Sequence, residues 1–367
     1  MEMKKVAILG IDLAKNVFQL HGVDTEGQAV LKRRVHREKL LSVVANTEPC
    51  LIAVEACTGA FYWARAFQPF GHSVRVISPQ YVKPFAKGNK NDGNDAEALC
   101  EAVQHPNMRF VPLRTVEQQD VQALHRARQR LVNHRTALIT QMHGLLLDRG
   151  IAFGKSASRA RRMIPEILED ADHGLTSLFR QTLADLYEFW REIDLRIANF
   201  DQRIARVFQQ SEACQRIAQV EGVGPKTATA LVAAVGNAKE FKNGRHLAAW
   251  LGLVPRQCAS GDRRHLFGIS KHGDQHLRTL LIHGARAVVR TASSKSGPRY
   301  AWVQALQKRR GTNRTIVAVA NKNARILWVL LAKGEPYRKS VEKSSALNGC
   351  EEDRDNGNTG RTDEHET

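Results

Sequence analysis

The run KVAILGID at residues 5–12 constrains this chain more than any other stretch. It is short, apolar and rich in branched side chains, which makes it a buried strand rather than a helix. A buried strand needs partners, and the following residues supply them. VFQLHGVD (17–24) and AVLKRRVH (29–36) flank the turn-like TEGQ and read as two further strands joined as a hairpin. A helical segment over 37–47 leads to CLIAVEACTG (50–59), a fourth strand ending near Glu55. FYWARAFQPFG has helical character, and HSVRVISP (72–79) is a fifth strand. Three strands followed by alternating helices and strands predict a mixed α/β sheet with helices packed on it.

Acidic residues fall at informative places on that frame. Asp12 closes the first strand and Glu55 the fourth, so the two stand side by side if those strands are neighbours. In GNKNDGNDAEAL (88–99), Asp92 and Asp95 open a helix three residues apart, on one face. Asp and Asn are good N-caps, so a plain helix start is one reading of that stretch. The other is a metal site. Four converging carboxylates repel one another unless a hard cation sits among them, and Mg²⁺ prefers oxygen ligands completed by substrate phosphates. Mg²⁺ or Mn²⁺ is the expected cofactor, held by Asp12, Glu55, Asp92 and Asp95, with Lys87 and Lys90 placed to meet phosphate.

Charge points to the substrate. The 367 residues carry a net charge of +18, although the last 28, Ser340 to Thr367, hold eight acids against three basic residues. Residues 1–339 therefore carry a surplus of 23 positive charges, which is expected to serve nucleic-acid phosphate. No apolar run reads as long enough to cross a bilayer, and no membrane partner is expected. The six cysteines show no CxxC pair or zinc-like spacing, and fit reduced thiols in a cytosolic protein.

From about 115 to 212 the pattern turns helical. Leu124, Leu131, Leu138 and Leu145 recur every seven residues, and Leu186, Trp190, Ile193, Ile197, Phe200, Ile204 and Val207 alternate spacings of four and three. That is a coiled-coil seam, used either within one chain as a helical hairpin or between chains. GKSASRARRMIP (154–165) reads as a basic, flexible linker able to touch nucleic acid.

IAQVEGVGPKTATALVAAVG (217–236) has the form of a helix-hairpin-helix. Gly222 and Gly224 allow a tight turn and close approach to a phosphate, and Lys226 and Thr227 start the next helix at its positive end. Such a unit grips DNA through phosphates, although the same pattern can serve packing alone. Further on, Ser260 precedes Gly261 in a loop followed by Arg263, Arg264, His265, Lys271, His272 and Arg278. Cations there could clamp a scissile phosphate beside a serine nucleophile, and Ser270 in GISKHG competes for that role. His272 and His276 have helical ligand spacing without a third ligand, and read as phosphate contacts or structural residues.

Taken together these residues resemble the insertion sequence 110 family of transposases, the DEDD type, over roughly residues 5–335. The resemblance rests on the early ID, AVEACTG, KNDGNDAEAL, and the order GVGP, LAAWLGLVP, SG, GISKHG and LR. It implies a RuvC-like, RNase H-like domain over 1–112, whose four acids are Asp12, Glu55, Asp92 and Asp95. A coiled-coil segment over 113–212 would follow, then a C-terminal transposase domain over 213–335 whose nucleophile is Ser260. Residues 336–367 are expected to form a disordered tail. The implied activity is excision and insertion of a mobile element through a serine–DNA link. It would be guided by a structured RNA from the element's ends and carried out by dimers or tetramers with shared sites. Two other readings stay open: a RuvC-like junction endonuclease with metal-activated water, and a non-catalytic DNA-binding protein.

Overall fold

The computed structural model describes residues 5–86, 92–152, 154, 156–261 and 263–338. Lys87, Lys90 and the acidic tail lie outside them, and the side chains of Asp92 and Arg264 are not described. The N-terminal third is built on β1 (Ile8–Asp12), β2 (Val17–Val23), β3 (Ala29–His36), α1 (Arg37–Ala45), β4 (Leu51–Glu55), α2 (Ala60–Phe67) and β5 (Ser73–Ile77). Then come α3 (Pro79–Val82), α4 (Asp92–Gln104) and the short β6 (Phe110–Val111). The sheet order is β3-β2-β1-β4-β5-β6. β1 pairs antiparallel with β2 but parallel with β4, and β4 is parallel to β5. The five strands expected from sequence all form; β6, two residues long, has too little pattern to be read.

Strand alternation sorts the sheet into two faces. Leu9, Ile11, Ile52, Val54, Val74 and Val76 pack with Leu40, Val44, Trp63 and Phe67 of α1 and α2. The opposite face, with Ala53 and Ile77, is covered by Ala98, Leu99, Ala102 and Val103 of α4. Both faces are thus buried, which explains the near-continuous apolar sequence of β1 and β4.

The middle of the chain is a helical hairpin. α5 (Val116–Leu147) starts with a capping box in which Thr115 and Gln118 cap each other's backbone N–H groups. α7 (Ser177–Gln209) returns alongside it, with α6 (Ala157–Glu169) between them in sequence. Leu138, Met142 and Leu146 of α5 meet Leu183, Trp190, Ile193 and Ile197 of α7 in one core. Arg128 pairs with Asp201 at 2.5 Å and Arg135 with Asp194 at 3.1 Å. One partner advances seven residues while the other retreats seven, so the pairs fix an antiparallel register. The seam is therefore used within the chain.

The basic segment read as a flexible linker is instead mostly α6. Ser156 caps it, and Ala160, Ile164 and Ile167 bury one face in the hairpin core. Arg180 of α7 donates to the Leu168 and Asp170 carbonyls at its end, at 2.7 and 2.6 Å. The run of arginines concealed an amphipathic helix whose polar face is basic.

The last third is mainly helical: α8 (Glu212–Ala218), α9 (Pro225–Val235), α10 (Gly244–Trp250), the hairpin β7 (Pro255–Ser260) and β8 (Arg263–Ile269), then α11 (Gln275–Arg290), α12 (Pro298–Arg310) and α13 (Thr312–Lys333). Its core gathers Leu231, Leu247, Leu281, Val303, Val319 and Leu327. By length and composition α13 reaches what a membrane span requires, at mean hydropathy 1.3, which the sequence reading did not allow for. Its Ile316, Val319, Ala320 and Leu327 are spent on the core of this domain.

α5 is locked to this core by Gln122, whose amide donates to the Ala233 carbonyl at 2.8 Å, and by His125. Thr229 gives its hydroxyl proton to the Pro225 carbonyl at 2.8 Å, so His125 Nε2–H donates to Thr229 Oγ1 at 2.9 Å. Burial, then the adjacent His276, push the His125 imidazole down to about 4; Arg128 and Lys226 act in the same sense and Asp201 opposes them. The unfolded chain binds more protons than the native one between that value and about 6.5, so stability rises with pH across the window. Acidification from about pH 7 to pH 5 is expected to lower Tm, and His125→Gln to flatten that dependence in thermal melts. Equal slopes for the two proteins would contradict the assignment.

Candidate functional site

Asp12 and Glu55 end two neighbouring parallel strands. Register pairs Ile11 with Val54, and the next step along both strands brings the two acids level. By alternation Asp12 shares the face of Gly10, and Glu55 that of Ala53, both toward α4. The helix approaches so closely that a Cβ at position 10 would overlap the Ala96 carbonyl oxygen. The Gly10 N–H donates to Cys100 Sγ at 3.1 Å, and that thiol donates to the His21 carbonyl at 3.2 Å. Asp95 immediately precedes Ala96 in the first turn of α4, on the covered face of the sheet.

The Cys57 thiol reports the local field. Burial raises its pKa, and the Glu55 and Asp12 carboxylates raise it further by disfavouring the thiolate. Its Sγ lies 3.9 Å from the carbonyl oxygen of Leu13, the residue after Asp12. Asp12 and Glu55 thus stand together at one end of the sheet. Among the described residues no three His, Cys, Asp or Glu side chains gather closely enough to hold one ion, and Asp92 lies outside that comparison. Two hard carboxylate ligands suit Mg²⁺ or Mn²⁺, whose remaining positions are commonly taken by water and substrate phosphate.

Ser260 ends β7 at the tip of a projecting hairpin. Every residue of β7 is exposed, as are Leu266 and Phe267 of β8. Gly261 makes the turn with φ +54°, and Ser260 faces Arg263 across it. The root is rigid. Ser270 N–H donates to the Val254 carbonyl at 2.8 Å and Lys271 N–H to the Gly252 carbonyl at 3.2 Å. Gly252, at φ +70°, packs on the His272 backbone at a distance no Cβ would allow. Lys271 is left-handed at φ 57°, an unfavourable conformation for a lysine that this root enforces. Arg278, below it, donates to the Leu251 and His272 carbonyls at 3.3 Å. His276 lies apart from the hairpin tip, its ring 5.7 Å from that of His125.

The turn between α8 and α9 has internal partners for each expected phosphate contact but Gly224. Gly222, at φ +85°, abuts the backbone of Gly284 in α11, an approach that leaves no room for a side chain at either position. Lys226 Nζ lies 3.0 Å from Asp201, and Thr227 is buried. Burial pushes Asp201 up, yet hydrogen bonds from Arg128 and Lys226 outweigh it and hold the acid below its ordinary value. Gly224 precedes Pro225, with open space around it.

A cleft between the N-terminal sheet and the last third went unread in the sequence. It encloses about 690 Å³ and is lined by Ser78, Tyr81, Arg109, His246, Trp250 and Ser270, among others. Ser78 follows β5, whose Ile77 pairs with Glu55, so the cleft opens at the acid end of the sheet. Burial, then Arg109, lowers the His246 pKa. Its walls come from segments more than a hundred residues apart, and no local pattern marks them.

Comparison with known proteins adds an independent finding. Residues 9–149 match a DEDD-type family described as "Transposase", and residues 214–301 the family described as "Transposase IS116/IS110/IS902 family". A "Probable family 20 transposase" of Pseudomonas aeruginosa is 45% identical over 331 residues, covering 90% of this chain and 98% of the relative. A "Transposase for insertion sequence element IS1111A" of Coxiella burnetii is 46% identical over 336 residues, covering 92% of each. A "Pilin gene-inverting protein" of Moraxella bovis is 23% identical over 361 residues, covering 91% and 98%.

The Gly10 contact gives a direct test of how the acids are placed. Gly10→Ala should cost about 1–3 kcal/mol through overpacking and lower Tm, because the obstacle is backbone and cannot rotate away. Adding Cys100→Ala should not restore the loss. An unchanged melting temperature, or rescue by the second substitution, would show that α4 does not sit on β1 as described.

Proposed function

This chain belongs to the IS116/IS110/IS902 transposase family, and from that premise we propose that it recombines DNA through a serine–DNA intermediate formed at Ser260. As a transposase it is an enzyme of DNA strand cleavage and transfer. The observation that carries the finer reading is the position of Ser260: a hydroxyl at the tip of an exposed arm whose root is hydrogen-bonded to the body of the domain, beside Arg263. A projecting arm reaches a phosphodiester that a recessed side chain could not.

In the proposed step the Ser260 Oγ–P bond forms as the P–O bond to the leaving sugar oxygen breaks. The serine proton departs to solvent and the leaving oxygen is protonated. One phosphoester is exchanged for another, so reversal with a new sugar hydroxyl rejoins the strands without an external energy source. Arg263, with Arg264 next to it in sequence, neutralises the phosphate as its charge builds up, whereas Lys271, at the root of the hairpin, would meet a phosphate farther along the strand. Likeness to a protein named for inverting a gene supports a mechanism that both cuts and rejoins.

Asp12 and Glu55 are the residues that would hold Mg²⁺ or Mn²⁺ directly, with Asp95, at the start of α4, reaching the ion through bound water and Asp92 completing the expected set. When bound, the ion supplies positive charge for the non-bridging phosphate oxygens. The carboxylates contribute by fixing one end of the sheet as the anchor for that charge, and the buried Gly10 contact keeps them from drifting apart. The RuvC-like reading fits the parallel β1-β4-β5 core with α4 across it. The α8–α9 turn fits a helix-hairpin-helix presented to phosphate at Gly224. A guide RNA from the element's ends and assembly into dimers or tetramers belong to the same proposal, and the exposed hairpin gives assembly a motive. A two-stranded ribbon without a core of its own is marginal in isolation.

Ser260→Ala should abolish both the covalent adduct and recombinant product while leaving DNA affinity within about twofold, since no positive charge is removed. Ser260→Cys should keep traces of activity, and Ser270→Ala should still yield an adduct. Peptide mapping of a trapped adduct decides the matter. Linkage to Ser270 or to a tyrosine would reject the assignment, and cleavage by Ser260→Ala at the wild-type rate would favour a metal-dependent nuclease.

A further inference from the structure

We propose that the groove between α10, α13 and the root of the β7–β8 hairpin binds a single DNA strand and leads it toward Ser260. The groove encloses about 930 Å³. Arg245 of α10 and Arg314, Lys322 and Arg325 of α13 line it, together with Trp302 of α12. Pro255 and Ile269, the paired residues at the base of the hairpin, form its end wall. Among the described residues no aspartate or glutamate lines it.

The cations converge for reasons of local structure. Arg314 and Arg325 are eleven residues apart and Lys322 three before Arg325, so all three project from one side of α13. Gly244 lets α10 press against that helix: a Cβ there would stand 2.8 Å from the Arg325 carbonyl oxygen. Arg245 is thereby held beside Arg325. Among the described residues, none of the four cations has a carboxylate within 4.0 Å, and Arg245, Arg314 and Arg325 are exposed. Elsewhere the chain does spend its basic side chains internally, as Arg128 and Lys226 do on Asp201.

Uncompensated charge in a concave site calls for a polyanion. Lys322 Nζ sits 4.2 Å above the Trp302 ring, half-buried, and its pKa is lowered by burial, then by Arg299 and Arg325. A phosphate entering the groove would relieve that crowding. A cationic groove carrying an aromatic side chain is the arrangement that holds single strands: phosphates pair with the cations and a base stacks on the ring. DNA is favoured over RNA because the groove ends at the arm that carries Ser260. Naming the strand in this way rests on the reading of Ser260 as nucleophile; binding by the groove does not.

The test uses the full chain, a fluorescein-labelled single-stranded oligodeoxynucleotide and anisotropy across a salt series. Arg245→Gln with Arg325→Gln should weaken binding more than tenfold and reduce the log–log salt slope by about 1.4, the loss of two phosphate contacts. Trp302→Ala should weaken binding several-fold with an unchanged slope. The exposed pair Arg286→Gln with Arg290→Gln on α11 should have little effect. If both arginine pairs weaken binding equally, or the groove pair binds as wild type, the proposal fails. It fails too if the loss is confined to an RNA strand of the same sequence, which would make RNA the occupant. Thermal melts check folding, and the single exposed change Arg314→Gln, with half the slope effect, serves if the double variant unfolds. Groove binding as described without any serine adduct from the wild type would remove the nucleophile reading and leave the groove.

Discussion

Contact between α4 and β1 at Gly10 is the constraint on which the N-terminal site depends. Backbone meets backbone there, with the Ala96 carbonyl lying where a Cβ would be. No other residue type permits it without moving the helix. That approach puts the first turn of α4, with Asp95, on the same face as Asp12 and Glu55. The parallel pairing of β1 and β4 does the rest by bringing two strand ends level. Carboxylates brought level in this way are the hard oxygen ligands that the proposed cation and its phosphate require.

The two ends of the molecule are joined through the helical hairpin. Arg65 of α2 donates to the Arg114 carbonyl at 2.6 Å, and the Arg114 guanidinium lies 4.9 Å over Phe61, tying the sheet to the start of α5. Farther along, Gln122 and His125 tie α5 to α9. Arg128, Lys226 and Asp201 form a shared ion cluster among α5, α9 and α7. Lys226 reads in the sequence as a DNA contact at a helix start, yet its ammonium is paired with Asp201. The cations left without carboxylates, at the groove beneath the serine hairpin, are better placed to meet a phosphate backbone.

Much of this was legible in the sequence because the governing patterns are local. The period-two and buried-strand runs gave all five longer strands of the sheet, and the three-four spacing gave α7. Asp12 and Glu55 could be paired because both end strand-like runs. What escaped was non-local or masked by charge. α6 hid behind its arginines, although Ala160, Ile164 and Ile167 follow helical spacing. The groove draws on residues 243–329 and the cleft on residues 78–273, so neither leaves a contiguous mark. The tightness of Gly10 and Gly222 against Ala96 and Gly284 follows from tertiary packing, and a sequence offers only the bare glycine. The seam was ambiguous between one chain and two until Arg128 and Arg135 were seen to pair with Asp201 and Asp194.

The central claim is that Asp12 and Glu55 form one cation site at the end of the sheet. Calorimetric titration of the full chain with Mn²⁺, in the absence of DNA, tests it directly. Saturable binding by the wild type that is lost in Asp12→Asn with Glu55→Gln, with a melting temperature no lower than that of the wild type, is the predicted result. Equal binding by the two proteins would contradict it.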